Sequence, residues 1–341
     1  QFGTLSLNLK SQGRGKTINT LNATLEATVS KFQLNDYVIK GLNLNGNIKN
    51  GKGQITSTYK DENININLYG LVTLDSIAPE ATLELDIIGA NLQSLGLTDR
   101  NIKTAMTIYG DFKGNSESYN VSAIIDKGVF VYNDRTYLLG DLSALAFVEK
   151  DTTSVSIKNK ILDLNLKSNT DPITFSRALE KHVSSYFYRD DIVPDSTANF
   201  VNLKIDGKIS ESPLLNDVFL VSVKDLETID IAFDFNEQKR QLKANITAPH
   251  INYSGNELES LAFSMTTDKE NFNFNLGFKN ITAGPLDVPK TVITGNQTNN
   301  ELSLNFFGYH NSEKIMNINT KINGNRERLI FTVSPDSLIL N

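Results

Sequence analysis

The 341-residue sequence contains no cysteine and no tryptophan. The lack of cysteine excludes disulfide bonds, thiolate zinc sites and thiol nucleophiles. It leaves the compartment open, because a chain without cysteine also avoids mispairing in an oxidising environment. The lack of tryptophan weighs against an outer-membrane barrel, which places aromatic girdles near both membrane interfaces.

Long apolar runs and a strong charge of one sign are also missing. No stretch of about 18 apolar residues could cross a bilayer as a helix, and no charged segment followed by an apolar one indicates a signal peptide. The net charge is −6 with both signs interspersed, so we expect no nucleic-acid partner and no polybasic contact with a membrane. Both ends of the sequence have strand-like patterns, and we expect an interior piece of a longer protein.

Candidate catalytic and metal-binding residues are sparse. The histidines His182, His250 and His310 are far apart in sequence, and none has a neighbouring ligand at metal spacing. The segment GRGKT at 13–17 lacks the earlier glycine of a phosphate-binding loop and leads into no helix, which favours a strand turn. No G-x-S-x-G nucleophile elbow occurs.

The nearest approach to a carboxylate cluster is YRDDIVPD, which contains Asp190, Asp191 and Asp195. Adjacent acids after a helix are usually a solvated helix end, and neighbouring side chains on an extended segment point to opposite sides. We therefore predict no enzyme activity, no metal site and no cofactor.

The dominant feature is strict alternation of apolar and polar residues. In ENININLYG, Ile64, Ile66 and Leu68 alternate with asparagines, which is typical of a strand with one apolar and one polar face. Similar rows recur along the chain, separated by short links rich in Gly, Asn and Asp, such as YKDEN, VYNDRT and TGNQTNN. Links this short join antiparallel neighbours, so the sequence predicts an all-β antiparallel meander.

A faint internal repeat supports this prediction. Its three copies are FQLNDYVIKGLNLNGNIKNG from Phe32, FVYNDRTYLLGDLSALAFVE from Phe130 and INYSGNELESLAFSMTTDKE from Ile251. Each copy combines an apolar strand, a polar turn and a second alternating strand. The spacing is irregular, which favours a repeated sheet-building unit over a strict solenoid.

Two segments depart from the alternation. DPITFSRALEKHVSSYFYRDD, which begins at Asp171, predicts an amphipathic helix from about residue 174 to 188. The segment after Pro213 predicts a short helix or an irregular corner. The chain therefore divides into a sheet segment at 1–170, a helical insertion at 171–193 and a continuation of the same sheet at 194–341.

The apolar face of such a sheet needs a cover. A second sheet would make a sandwich and closure would make a barrel, and the alternation alone leaves both open. A sandwich array would correspond to a structural or adhesive repeat protein at the cell surface, although the regular restart expected about every hundred residues is absent. A third arrangement is an open trough covered by lipid, because acyl chains make no hydrogen-bonding demand. Without an occupant, a long exposed apolar row would be prone to aggregation.

Five segments follow one another in a distinctive succession: GLNLNGNIKNGKGQITSTY, LYGLVTLD, ATLELDIIGANLQSLGL, MTIYGDFKG and DKGVFVYNDRTYLLGDLSALAF. This succession resembles the TamB family, within the AsmA-like superfamily of bridge-like lipid transfer proteins. The helix FSRALEKHVSSYFY and the LKIDGKISESPLLNDVFLVSVKDLETIDIAFDFN that follows it resemble an insertion in one branch of that family. The resemblance covers most of the chain and is carried by a style of repeat.

The resemblance implies a β-taco, which is a long, curved, U-shaped antiparallel sheet with an apolar inner groove. It implies a periplasmic segment of a longer, inner-membrane-anchored protein that reaches the outer membrane. The implied roles are phospholipid movement between the membranes and support of outer-membrane protein assembly. The implied partner is a BamA-like outer-membrane protein, TamA, contacted through parts of the chain outside this sequence.

On this hypothesis the inward rows of the strands contact phospholipid acyl chains, and the helix is either a structural brace or a cap on the open side of the groove. The predicted cap residues are Phe175, Leu179, Val183 and Tyr186. The predicted groove-lining residues are Ile64, Ile66, Leu68, Leu83, Leu85, Ile87, Leu162, Leu164, Phe272, Phe274, Leu276, Leu302, Leu304 and Phe306.

Overall fold

Most of the chain is β-strand. The computed structural model describes residues 2–35, 37–187, 200–219, 223–253, 256–283, 286–298, 301–310, 312–324 and 328–338. The chain separates into two compact units, unit 1 (1–149 and 155–160) and unit 2 (150–154 and 161–341). Within the described residues, no helix combines the length and apolar character needed to cross a membrane.

Unit 1 consists of strands joined by short turns, together with one turn of 3₁₀ helix at Ile18–Thr20. Its strands are β1 (Phe2–Arg14), β2 (Asn22–Leu34), β3 (Tyr37–Ile39), β4 (Leu42–Lys49), β5 (Lys52–Lys60), β6 (Ile64–Thr73), β7 (Glu80–Asn91), β8 (Lys103–Gly114), β9 (Tyr119–Tyr132), β10 (Arg135–Leu138) and β11 (Leu142–Glu149). The next strand, β12 (Thr152–Lys158), has residues in both units.

Unit 2 contains the helix α1 (Pro172–Phe187) and a π-helical turn at Leu214–Phe219. Its strands are β13 (Leu162–Ser168), β14 (Asn202–Ile209), β15 (Val223–Leu226), β16 (Ile229–Asn236), β17 (Gln241–Tyr253), β18 (Asn256–Thr267), β19 (Phe272–Ala283), β20 (Leu286–Thr298), β21 (Glu301–His310), β22 (Glu313–Gly324) and β23 (Leu329–Leu338).

The strands of each unit pair in an antiparallel ladder, mostly with their neighbours in sequence. All the pairings that the structure describes are antiparallel. The prediction of an all-β antiparallel fold with one or two short helical insertions is therefore confirmed. Among the described pairings, β1 pairs only with β2 and β23 only with β22, so both are edge strands.

The internal repeat corresponds to a kink that lets one long strand pair with two short ones. Gly41 (φ 73°) separates β3 from β4, and Gly140 (φ 72°) separates β10 from β11. Both glycines adopt the left-handed region, where residues with a Cβ are strained. In the third copy Ser260 (φ 54°) takes this conformation inside β18, so that strand bends without ending.

The helix α1 begins with a cap that matches its sequence. The Asp171 carboxylate accepts hydrogen bonds from the backbone N–H groups of Ile173 (2.9 Å) and Thr174 (3.0 Å). Pro172 takes the first helical position, where no N–H donor is needed. The predicted helix is thus confirmed, with its start two residues earlier because proline suits the first turn. The short helix or irregular corner predicted after Pro213 is the π-helical turn at Leu214–Phe219.

One predicted link is shorter than expected. TGNQTNN contains the boundary between β20 and β21, as predicted, but β20 continues through Gly295 to Thr298. Gly295 pairs with Phe274 on one side and with Leu304 on the other. A Cβ added to Gly295 would overlap the Phe274 ring, so the glycine provides room for a neighbouring side chain and does not mark a turn.

Candidate functional site

Strand register gathers the predicted groove residues of unit 1 on one face. Ile66 lies opposite Ile87, and Leu68 lies opposite Leu85. Directly opposed residues in an antiparallel pair project from the same face of the sheet, so these side chains share one surface with Ile64 and Leu83. The same register extends the apolar surface to Leu7, Leu9, Leu25, Ala27, Val29, Leu42, Leu44, Ile48, Ile55, Met106, Ile108, Phe112, Val121, Ala123, Ile125, Leu142, Ala144 and Ala146.

Unit 2 has an apolar face of the same kind. One cross-strand line joins Leu276, Ile293 and Phe306, and Phe274 and Leu304 flank Gly295 beside it. The remaining predicted residues lie on the same face, where Phe272 and Leu302 are both opposite Gln297, Leu162 is opposite Ile209 and Leu164 is opposite Gly207.

The opposite face of each unit is polar and hydrogen-bonded across strands. In unit 1, Thr82 Oγ1 donates to Asp111 Oδ1 at 3.0 Å, and Lys113 forms an ion pair with Glu80 at 2.7 Å. In unit 2, Asn319 Nδ2 donates to Asn305 Oδ1 at 2.6 Å. Asn305 and Asn319 therefore form an amide contact on the polar face, while the opposite face is mainly apolar.

The predicted groove residues are partly buried in the structure, apart from Leu83, which is 38% exposed. A fully covered sheet face would show lower values. Unit 2 itself provides such lower values, because Phe235 and Leu242 on the same face are each only 1% exposed. The apolar face of each unit is thus shielded on its flanks by neighbouring rows and is not closed over as in a packed core.

The helix α1 provides the cover over Phe235 and Leu242. Ala178 of α1 joins Val201, Leu203, Phe235 and Leu242 in one buried cluster. Three predicted cap residues, Phe175, Leu179 and Val183, pack against this cluster and remain partly buried, and the fourth, Tyr186, is 2% exposed. The structure therefore places the four residues on the helix face that contacts the apolar face of unit 2.

Polar contacts fix the C-terminal half of α1 to the strand ends. His182 Nε2 and Thr267 Oγ1 are joined by a hydrogen bond of 2.8 Å, and the Tyr186 hydroxyl donates to the backbone oxygen of Asp268. Gln297 Nε2 donates to the Tyr186 backbone oxygen at 3.2 Å. Burial lowers the pKa of His182 to about 4, and the charge of Arg240 acts in the same direction. His182 is therefore neutral at pH 7 and has a structural role.

In unit 1, the loop between β7 and β8 is the nearest counterpart of α1. Leu95 and Ile102 of this loop are 4% and 1% exposed. Asn35, at the end of β2, donates from Nδ2 to the Gly96 backbone oxygen at 2.8 Å. Since β4, β5 and β6 separate β2 from β7 in the ladder, about 19 Å on a flat sheet, the β7–β8 loop reaches back across the strand ends of unit 1 to make this contact. No pattern in the sequence predicts this contact.

A tyrosine–aspartate cluster lies at the β5–β6 turn. The hydroxyls of Tyr37 and Tyr59 both donate to Asp61, the second at 2.7 Å. Burial, followed by the Asp61 hydrogen bond, raises the pKa of Tyr37 to about 12. Burial alone would raise the pKa of Asp61, but these hydroxyls and the N–H groups of Asn63 and Ile64 lower it below its usual value. The cluster pairs its own polar groups and serves to fix the turn.

No group of three or more His, Asp or Glu residues within the described ranges is arranged to hold a metal ion. Residues 188–199, and with them Asp190, Asp191 and Asp195, lie outside the described residues. The GRGKT segment forms the end of β1 and the turn before the 3₁₀ helix, with Gly15 at φ 139°. The strand-turn interpretation is therefore confirmed.

Comparison with known proteins adds no relative. No family model matches the chain, and neither a curated protein nor a solved structure matches it.

Proposed function

We propose that this chain is a periplasmic segment of a TamB-like lipid conduit that shields phospholipid acyl chains against the apolar faces of its two units. The observation that carries the proposal is the partial burial of an apolar row in each unit. Ile64, Ile66 and Leu68 in unit 1, and Leu276 and Phe306 in unit 2, project from faces that are mainly apolar.

The chemistry of these faces favours acyl chains over a polar ligand. A buried polar group needs a hydrogen-bonding partner, and the rows around Leu68 and Leu276 are mainly apolar; the Ser57 hydroxyl opposite Leu68 already donates to the Asn43 backbone oxygen at 2.7 Å. Burial of apolar surface stabilises by about 0.8 kcal/mol per methylene group. An acyl chain along the row would thus bind through many weak contacts and without a fixed position, as passive movement along a conduit requires.

The wider roles follow from the family resemblance. Head groups stay in water at the open side of each sheet, while acyl chains lie against the apolar rows. The phospholipid moves between the inner and outer membranes, and the complete protein supports outer-membrane protein assembly with a BamA-like partner through regions outside this chain.

Matched photocrosslinking tests the proposal. Benzoylphenylalanine is placed at Ile66 and at the adjacent, exposed Asn67, and in unit 2 at Leu276 and the adjacent, exposed Asn275. Each purified variant is mixed with vesicles of phosphatidylethanolamine and phosphatidylglycerol that contain an alkyne-tagged acyl chain. We expect lipid adducts at Ile66 and Leu276 and few at the two asparagines. Equal labelling within both pairs would contradict the proposal.

Native mass spectrometry provides a second, independent measurement. The wild-type chain should retain phospholipid from the cells in which it is made, in amounts that fall when detergent is added. A chain that carries no lipid and fails to label at Ile66 and Leu276 would instead fit a structural or adhesive β-repeat array.

A further inference from the structure

The two flanks of α1 face different surroundings. On one flank, Ser185 accepts a hydrogen bond from Arg240 Nη2 at 3.4 Å, and Arg240 belongs to the turn between β16 and β17 at the strand ends. With 3.6 residues per turn, Val183 lies about 160° and Leu179 about 120° around the helix axis from Ser185. Val183 therefore lies on the flank opposite Ser185, away from the strand ends, and Leu179 lies between Val183 and the sheet-facing side of the helix that carries Tyr186.

Burial along the strands supports this orientation. Leu203 and Phe235, beneath the helix, are 3% and 1% exposed. One alternation step farther from the strand ends, Ile205 and Phe233 pack against the same cluster but are only partly buried. The next step along β16 is Ile231, which is also partly buried. The cover provided by α1 thus stops within the apolar face, and a free strip begins beside the helix.

Leu179 and Val183 have the right chemistry for the border of that strip. Both are partly buried and pack against the cluster. The side of the helix turned away from the sheet carries exposed polar residues instead, among them Arg177, Glu180 and Ser184.

We infer that α1 is the side wall of the acyl-chain site in unit 2, with Leu179 and Val183 in contact with the bound chain. The inference rests on the proposed function and identifies one border of the acyl-chain site. The helix occupies the apolar surface near the strand ends, so the acyl chains of unit 2 are confined to the strip that runs from Ile231 toward Leu276. α1 therefore sets the border of that strip on the side of Phe235.

Crosslinking from the helix itself tests the wall. Benzoylphenylalanine at Val183 should capture the alkyne-tagged acyl chain from phosphatidylethanolamine and phosphatidylglycerol vesicles, whereas the probe at the adjacent, exposed Ser184 should not. Leu276 is the reference position. If Leu276 is labelled but Val183 and Ser184 are labelled equally, α1 is not the side wall of the site, and the proposed function still stands. If Leu276 is labelled no more than Asn275, both the side-wall inference and the proposed function are contradicted.

A substitution that fills space gives a second readout. Val183→Trp adds bulk on the side of the strip and should reduce labelling at Leu276 at least about twofold, because the added volume competes with the acyl chain. Arg177→Trp places the same tryptophan side chain on the exposed side of α1 and should leave labelling unchanged. Circular dichroism confirms that both variants are folded. A folded Val183→Trp variant with wild-type labelling would contradict the inference.

Discussion

His182 on α1 and Thr267 at the end of β18 are joined by a hydrogen bond of 2.8 Å between Nε2 and Oγ1, although 85 residues separate them. The same threonine oxygen accepts the Leu242 backbone N–H at 2.8 Å. One hydroxyl thus links the helix to two strands of unit 2. The imidazole is 7% exposed and packs 5.1 Å from the Phe235 ring, measured between ring centroids.

Burial of His182 predicts a specific pH dependence of stability. The pKa of His182 falls from 6.5 to about 4 on folding, so between these values the unfolded chain binds more protons than the folded one. Stability from this group is complete above about pH 6.5 and is lost as the pH falls toward 4. We expect wild type to lose on the order of 2 kcal/mol more than His182→Gln between pH 7 and pH 4. Urea unfolding at both pH values measures the difference, and equal losses would contradict the assignment.

The cluster beneath α1 should dominate the stability of unit 2. Phe235→Ala leaves a cavity at a position that is 1% exposed and should cost about 3 to 5 kcal/mol in the free energy of unfolding. Phe331 is 60% exposed in the edge strand β23, so Phe331→Ala should cost less than about 0.5 kcal/mol. Hydrogen exchange at the amides of β16 and β17 measures the free energy of unfolding of the two variants. Similar losses of unfolding free energy in both variants would show that the cluster beneath α1 is not the main core of unit 2.

Substitution by alanine should destabilise the protein more at Gly295 than at Gly277, a glycine in the neighbouring strand. Gly295→Ala would force the Phe274 ring to move, and we expect a loss of about 1 to 3 kcal/mol from overpacking. A Cβ at Gly277 would meet atoms only at 3.8 Å and beyond. Gly277→Ala should therefore be neutral or slightly stabilising. Thermal unfolding of both variants is the measurement, and the reverse order would show that the Phe274 ring has another position.

The kink at Gly41 should depend on backbone conformation and not on space. No atom lies within 4 Å of a Cβ added at Gly41 or at Gly89, but only Gly41 has a positive φ (73°). Gly41→Ala should cost about 1 to 2 kcal/mol because of the left-handed conformation, whereas Gly89→Ala should be neutral. Gly41→Asn should recover part of the loss, since asparagine tolerates this region better. Denaturant midpoints for the three variants would test the ranking.

A charge on the apolar face should abolish lipid binding without unfolding the sheet. Ile66 is only partly buried, so the long side chain in Ile66→Arg can still reach water. We expect far-UV circular dichroism like that of wild type and a loss of lipid adducts at Leu68. Asn67→Arg, on the polar face, should keep lipid binding. If Ile66→Arg unfolds unit 1, a closed core is the better account of that face.

The local features of this fold were predictable because they depend on the spacing of apolar and polar residues along the chain. The alternation around Ile64 and Ile66 reports a strand with two unlike faces, since side chains in a strand point to opposite sides in turn. The Asp171–Pro172 start of α1 follows from capping chemistry. The link TGNQTNN was predicted too long because Gly and Asn are common both in turns and in strands with close neighbours, and only the Phe274 ring beside Gly295 distinguishes the two cases.

Sequence patterning alone was enough to establish an all-β antiparallel chain, the apolar rows and the amphipathic helix, because each depends on residues a few positions apart. It left undecided which surface α1 covers, since the helix contacts Thr267 and Gln297, 85 and 111 residues from their partners on α1. The bridge from Asn35 to Gly96 was likewise undecided. Such contacts depend on strand register and sheet curvature, which no short window of sequence contains. Tertiary packing therefore decided how much of the apolar face is covered and how much stays free.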